Sequence, residues 1–357
     1  MSKSNATFAI VSALSLAVAA VLPLTGTSAG AAEVEGPKLH WNVSTWGKKR
    51  AFTAGIEKVA EIVNEKTGGN WVIQIHYGEA LSKAKENLDG IKLGAFEVAM
   101  FCNFYHPGKN PAFMVLTMPF LPLKDWETSL AVRKALYATP AFAADMDQWN
   151  AMTYISTLLP QYEFLGKGEP PLKLADWKGK RVRAGGGIGS AMEVLGAVPT
   201  SLPATDVYTG IERGTLDAAS FPYTYSHAAY KIDEIADWYT SNMSPGTTEC
   251  PVVINKTAYD KLPDQYKKLL EDAKDEAYDA QIQAYIDIDK VNLPKFESEM
   301  QKIVYTDEQL EEFQKVAGKP VWDQWVAENK DKFDAQGLID LALQTAKEVK
   351  AKQAKSN

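Results

Sequence analysis

Arg183 ends the segment Lys180-Arg-Val-Arg183 and stands just ahead of the glycine run Gly185-Gly-Gly-Ile-Gly189. A guanidinium is planar, permanently charged and able to grip a carboxylate through two parallel hydrogen bonds. A surface arginine usually pairs with a nearby acid and does little more. Arg183 differs by position: it closes a strand before a glycine turn, and ligands of open α/β sheets collect at the carboxyl ends of strands. Such a turn also lets backbone N–H groups at a helix N-terminus approach an anion. A dinucleotide fingerprint requires GxGxxG; Gly185 and Gly187 match, but the final position is Ser190.

Catalytic signatures are missing. The sequence has no GxSxG elbow and no P-loop, and His40, His76, His106 and His227 show no metal-binding spacing. Two cysteines rule out a cysteine-based zinc site and a disulfide scaffold. The pI of about 5.3 argues against nucleic acid, which needs clustered lysine and arginine. With 46% apolar and 23% charged residues, the chain is an ordinary globular one, and 357 residues are enough for two lobes. Most of the nine tryptophans and fifteen tyrosines belong to packing. Trp46 and Tyr105 are set apart because each follows a first-lobe strand in a loop that should face a cleft. Aromatic walls are also an energetic need. One charge-assisted hydrogen bond contributes about 1.5–3 kcal/mol, whereas micromolar binding takes about 8 kcal/mol.

The elements that must position these groups follow from periodicity. Lys3 is the only charge in residues 1–32; an apolar run at 8–24 and small residues including Ala29-Gly-Ala31 follow. This is the order of a cleavable secretory signal, the alternative being a membrane anchor, which Pro23 and the short run disfavour. Cleavage leaves 37 basic and 45 acidic side chains, a net charge of −8. Strands are predicted at 38–43, 71–77, 97–102 and 152–158, with helices at 51–66 and 87–93 between them. The pattern restarts with strands at 180–183, 217–221 and 250–255 and helices at 191–195 and 205–214. A long helix is expected over 263–293, then shorter helices, one opened by the capping box Thr306-Asp-Glu-Gln309, and a frayed tail from 347. Strands alternating with helices imply α/β lobes on mostly parallel sheets. The expected organisation is a signal at 1–32, lobe I at 33–158 completed by about 249–262, lobe II at 159–248, and the long helix with C-terminal helices at 263–357.

At this point a family resemblance emerges. Asp176-Trp-Lys-Gly-Lys-Arg-Val-Arg183, Leu195-Gly-Ala-Val-Pro199 and Val207-Tyr-Thr-Gly-Ile-Glu-Arg-Gly-Thr-Leu-Asp-Ala218 resemble the periplasmic substrate-binding proteins of TRAP transporters. Met118-Pro-Phe120 upstream and Val253-Ile-Asn-Lys-Thr-Ala-Tyr-Asp-Lys-Leu-Pro263 downstream are similar to further segments of that family, in the same order. The resemblance implies a two-lobed, type II-like periplasmic-binding-protein fold. It implies a receptor, not an enzyme, that captures a small organic acid, closes by a hinge and meets membrane permease subunits. It also implies that Arg183 clamps the ligand carboxylate. Phe104-Tyr-His-Pro-Gly-Lys-Asn-Pro-Ala112 is similar to a stretch of the members that bind 2-oxo acids or lactate with a metal ion. Carried over, Gln161, the Phe221 backbone carbonyl and Glu249 would hold that cation, Ca²⁺ or Na⁺, beside the ligand. The sequence departs from that subgroup where Ser220-Phe221 replaces an acidic-Trp pair and where Gln161 lacks the following GGW. Without a cation, Glu249 needs a proton or an ammonium group on the ligand, or else is a solvated hinge residue. Two other function classes stay open: an exported enzyme on the same fold, and a ligand sensor feeding a signalling partner. Keto, hydroxy and aromatic acids and sulfonates all suit Arg183. In the resembled fold the strand at 250–255 returns antiparallel beside 97–102, so Cys102 and Cys250 either bridge or pack as two buried thiols.

Overall fold

The computed structural model describes residues 32–356. The leader expected at 1–32 therefore lies, except for Ala32, outside the described residues. Among those described, no helix is long and apolar enough to cross a membrane.

Eleven strands are described: β1 Leu39–Ser44, β2 Trp71–His76, β3 Val98–Met100, β4 Ala151–Ile155, β5 Tyr162–Gly166, β6 Arg181–Arg183, β7 Val198–Thr200, β8 Ala218–Pro222, β9 Trp238–Thr240, β10 Val252–Asn255 and β11 Gln301–Ile303. They form two sheets, one ordered β2-β1-β3-β10-β4 and the other β11-β9-β5-β8-β6-β7. The chain passes between the sheets after β4, returns after β9, and passes over once more for β11. β1, β2 and β3 are parallel, as are β6, β7 and β8, while β10 and β5 run antiparallel to their neighbours.

The α/β alternation is as the periodicity implies, but four strands escape it. β5, β7, β9 and β11 are three to five residues long, too short to show a period. β7 also contains Pro199, and β11 reads Gln-Lys-Ile at a sheet edge. The long helix also differs. Ala273 separates Asp264–Asp272 from Lys274–Glu299, and the second piece runs past Pro294. Phe296, fully buried in the second sheet's core, holds the chain helical beyond the proline. Nor is the tail frayed: the helix Ala335–Ser356 buries Ala346 and Val349, and Gln353 Nε2 donates to Glu127 Oε2 at 2.7 Å.

The Lys274–Glu299 helix touches both sheets. Tyr285 Oη donates to Thr157 O (2.8 Å) just past β4, and Asn292 Nδ2 donates to Thr224 Oγ1 (3.0 Å) just past β8. Cys102 and Cys250 form a disulfide. The register explains the pairing. Val252 opposes Met100 in the antiparallel ladder, so two residues further on Cys250 opposes Cys102. Backbone bonds from Phe101 N to Pro251 O (3.3 Å) and from Asn103 N to Glu249 O (2.8 Å) extend the ladder around the bridge.

Candidate functional site

β6 ends on Arg183, with Thr200 of β7 and Ala219 of β8 as its neighbours in register. The side chain is only 2% exposed. Nε donates to Leu202 O at 3.1 Å, Nη1 to Ser220 O at 2.7 Å, and Nη2 reaches Tyr105 Oη at 3.5 Å. A guanidinium has five N–H donors, so two remain uncommitted. The charge lies 4.2 Å over the Phe221 ring and 5.1 Å from that of Phe104. No ion pair joins it to a described carboxylate.

Tyr105 comes from the first sheet's side, in the turn Asn103–Tyr105 just after β3. Its hydroxyl accepts from Ala204 N at 2.8 Å as well as from Arg183, which leaves its own hydrogen to donate. Burial pushes the phenol pKa up, so Tyr105 stays protonated. Trp46, in the loop after β1, packs edge-on against Tyr105 with ring centroids 5.8 Å apart. The structure thus brings Arg183, Tyr105, Trp46 and Phe221 to one place, around a small cavity of about 20 Å³. Eight aromatic side chains line it, and no acidic one does. A larger open cleft lies behind the glycine turn, between Met114, Met118, Ser190 and Trp325, but no arginine faces it.

The glycine turn works differently from the anion cradle expected of it. Gly187 N donates to Thr117 Oγ1 at 2.9 Å, and Gly186 has φ +57°. A Cβ would stand 2.2 Å from Phe104 Cδ2 at Gly185 and 2.5 Å from Thr117 O at Gly187. The glycines therefore let the two sides of the molecule touch, seating Phe104 against Arg183.

Gln161 and Glu249 do not line the cavity. Gln161 Nε2 donates to Leu123 O at 3.0 Å. Glu249 is fully buried, so it is not a solvated hinge residue. Its carboxylate accepts from Arg133 Nε, from Tyr137 Oη at 2.7 Å, and from Ser156 Oγ at 2.9 and 3.2 Å. Arg133 is itself fully buried. The positive partner that Glu249 requires is thus a side chain. Phe221 is paired through its backbone with Glu163 in the β5–β8 ladder, and among the described residues no cluster of three or more His, Cys, Asp or Glu could hold a metal. The residues present do not fit a resident cation at the Gln161–Phe221–Glu249 position.

Sequence reasoning missed Arg133, although Ser129, Arg133 and Tyr137 form a polar i, i+4 stripe on the helix Trp126–Tyr137. It also missed Arg50, Tyr162, Tyr225 and Tyr230, all of which line the cavity. Arg50 shares the post-β1 loop with Trp46, so the argument that placed Trp46 applied to it equally. Burial raises the pKa values of Tyr162 and Tyr225 and pushes that of Tyr230 up to about 12. All three remain neutral hydrogen-bonding groups.

The chain was compared with known proteins. It is 26% identical over 352 residues to a monocarboxylate 2-oxoacid-binding periplasmic protein of Nostoc sp., spanning 93% of this chain and 95% of the other. A TRAP solute-binding protein from Desulfovibrio salexigens with bound orotic acid superposes with a TM-score of 0.78, at 19% identity, over 87% of this chain and 99% of that one. Another, from Bordetella bronchiseptica with copurified calcium and picolinate, gives 0.73 at 20% identity, over 88% and 94%. These structures share the fold. The profile described as bacterial extracellular solute-binding protein, family 7, matches residues 43–329, and the chain belongs to that family, the extracytoplasmic solute-binding receptors of TRAP transporters.

Proposed function

We propose that this receptor captures a small organic acid between its two sheets, with Arg183 as the carboxylate clamp and Tyr105 as a second donor. As a family member it is a transport receptor that works with membrane permease subunits, and it makes or breaks no bond in its ligand. The observation that carries the reading is a buried guanidinium with two uncommitted N–H groups and no carboxylate partner, set among aromatic rings. Arg183 alone contributes too little for micromolar binding. Ring contacts and exclusion of water by closure of the lobes supply the remainder. Closure is driven by tighter binding in the closed state, because Arg183 and Tyr105 come from different sheets and meet one ligand together. The relatives' ligands, a 2-oxoacid in one case and orotic and picolinic acids in others, support a carboxylate. Glu249 takes its charge partner from Arg133, so capture proceeds without a resident cation. Residues 1–32 direct export and are removed.

A thermal-shift screen of the mature protein against organic acids identifies ligands, since a ligand at 100 times its Kd adds about 2.7 kcal/mol. Arg183→Ala then weakens binding of each hit by about 2–5 kcal/mol while the fold persists. Arg183→Lys also binds poorly, because an ammonium lacks the planar fork. Near-normal affinity in Arg183→Ala overturns the assignment.

A further inference from the structure

The cavity has a second cation that the carboxylate clamp does not use. Arg50 lines it opposite no acidic group, and no ion pair joins it to a described carboxylate. Its Nη1 donates to the carbonyls of Trp46 (2.8 Å) and Lys48 (2.7 Å) in its own loop, which fixes the head of the side chain. Its Nε is buried and has no hydrogen-bond partner. The hydroxyl of Tyr230, another lining residue, is likewise buried and unpartnered. The two side chains are neighbours: a Cβ at Gly47 would stand 2.6 Å from Tyr230 Oη and 2.9 Å from Arg50 Nη1. Arg50 lies 5.5 Å over the Tyr230 ring, and Tyr230 stacks on Phe221 at 5.7 Å, the ring that carries Arg183.

Buried donors are normally satisfied, and an orphaned one needs an explanation. Two orphans on side chains that line one cavity, one of them cationic, describe a place for an acceptor that carries negative charge. The cavity then holds two guanidiniums, Arg183 and Arg50, and no carboxylate to offset them. A monoacid would leave the half-buried Arg50 charge without an anionic partner.

We propose that Arg50 and Tyr230 form a second anion subsite and that the ligand is a diacid, one carboxylate on Arg183 and the other anionic group on Arg50. This deepens the carboxylate reading above and rests on it. The rings between the subsites, Phe221 and Tyr230, accommodate an apolar or planar spacer.

The test is calorimetric titration of the mature protein with matched pairs of acids, each monoacid paired with the diacid of the same carbon skeleton, both aliphatic and aromatic. The diacid binds more tightly by roughly 10- to 100-fold, the worth of a charge-assisted contact. Arg50→Gln removes most of that preference, and Tyr230→Phe, which keeps the ring, removes a smaller part of it. Arg183→Ala lowers affinity for both members of each pair. Circular dichroism and melting curves check that each variant folds. If monoacids bind as tightly as diacids, or Arg50→Gln keeps the full preference, the second subsite is overturned while the Arg183 reading stands. If no acid of either kind binds the wild type, both readings fall together.

Discussion

Glu249 and Arg133 are each fully buried and bonded to one another, with Tyr137 and Ser156 completing the carboxylate's shell. Removing one partner strands the other charge in a site water does not reach, which costs about 3–5 kcal/mol. Replacing both with neutral groups removes two desolvation penalties along with the attraction and costs far less. A double-mutant cycle of Arg133→Met, Glu249→Gln and the pair therefore gives two damaging single variants and a double variant more stable than the sum of their losses implies. Unfolding entropy for a chain of this size is roughly 0.7 kcal/mol per kelvin, so a 4 kcal/mol loss shows as about 6 °C in Tm. Differential scanning calorimetry of ligand-free mature protein, repeated in excess chelator, reads the cycle directly. Chelation leaves the wild-type Tm unmoved, because the charge partner is a side chain. Single variants melting within 1 °C of the wild type, or strictly additive losses, would refute the coupled pair. A chelator effect confined to wild type would reinstate a cation at Glu249.

Gly185→Ala places a methyl group where Phe104 now sits, 2.2 Å from Cδ2; the ring must leave Arg183, so ligand affinity falls about tenfold at a stability cost of about 1–3 kcal/mol. Titration beside a melting curve checks this, and unchanged affinity would show that Phe104 does not shape the site. The Cys102–Cys250 bridge spans 148 residues of sequence, so on the chain-entropy model its loss costs about 5 kcal/mol. Unfolded, unreduced mature protein shows no titratable thiol, and reduction lowers Tm; two thiols per chain would rule the bridge out. Burial of His227 lowers its pKa to about 3, against about 6.5 in the unfolded chain. The unfolded state thus takes up the proton first, and this contribution to stability is full above about pH 6.5. It is lost as pH falls, by about 1.4 kcal/mol per pH unit. His227→Gln makes the pH 6-to-4 stability slope shallower by one proton, as urea melts will read; an unaltered slope contradicts the buried neutral ring.

The sequence by itself determined the class of fold, because a strand period of two and a helix period of 3.6 are local and survive without tertiary information. β1, β2 and the helix Ala54–Lys66 were legible for that reason, and the place of Arg183 was too, since strand end, glycine turn and residue type all lie within a few positions. Trp46 and Tyr105 followed from the rule that loops after parallel strands face the cleft. Short strands such as β9 and β11 carry no usable period and exist through their pairing in the sheet, β11 with β9 and β9 with β5. Tertiary structure alone decided which charges meet. Arg133 and Glu249 stand 116 residues apart, and nothing local to either announces the other. A cation, a proton or an ammonium group on the ligand all stayed open as partners for Glu249 while its neighbours were unknown, since a buried carboxylate must have a positive partner or a proton. The helix Trp126–Tyr137, laid against the returning chain before β10, supplies that partner. Packing also gave the glycine run its role, because the close approach of Phe104 and Thr117 comes from the other sheet's side and leaves no mark in the local sequence.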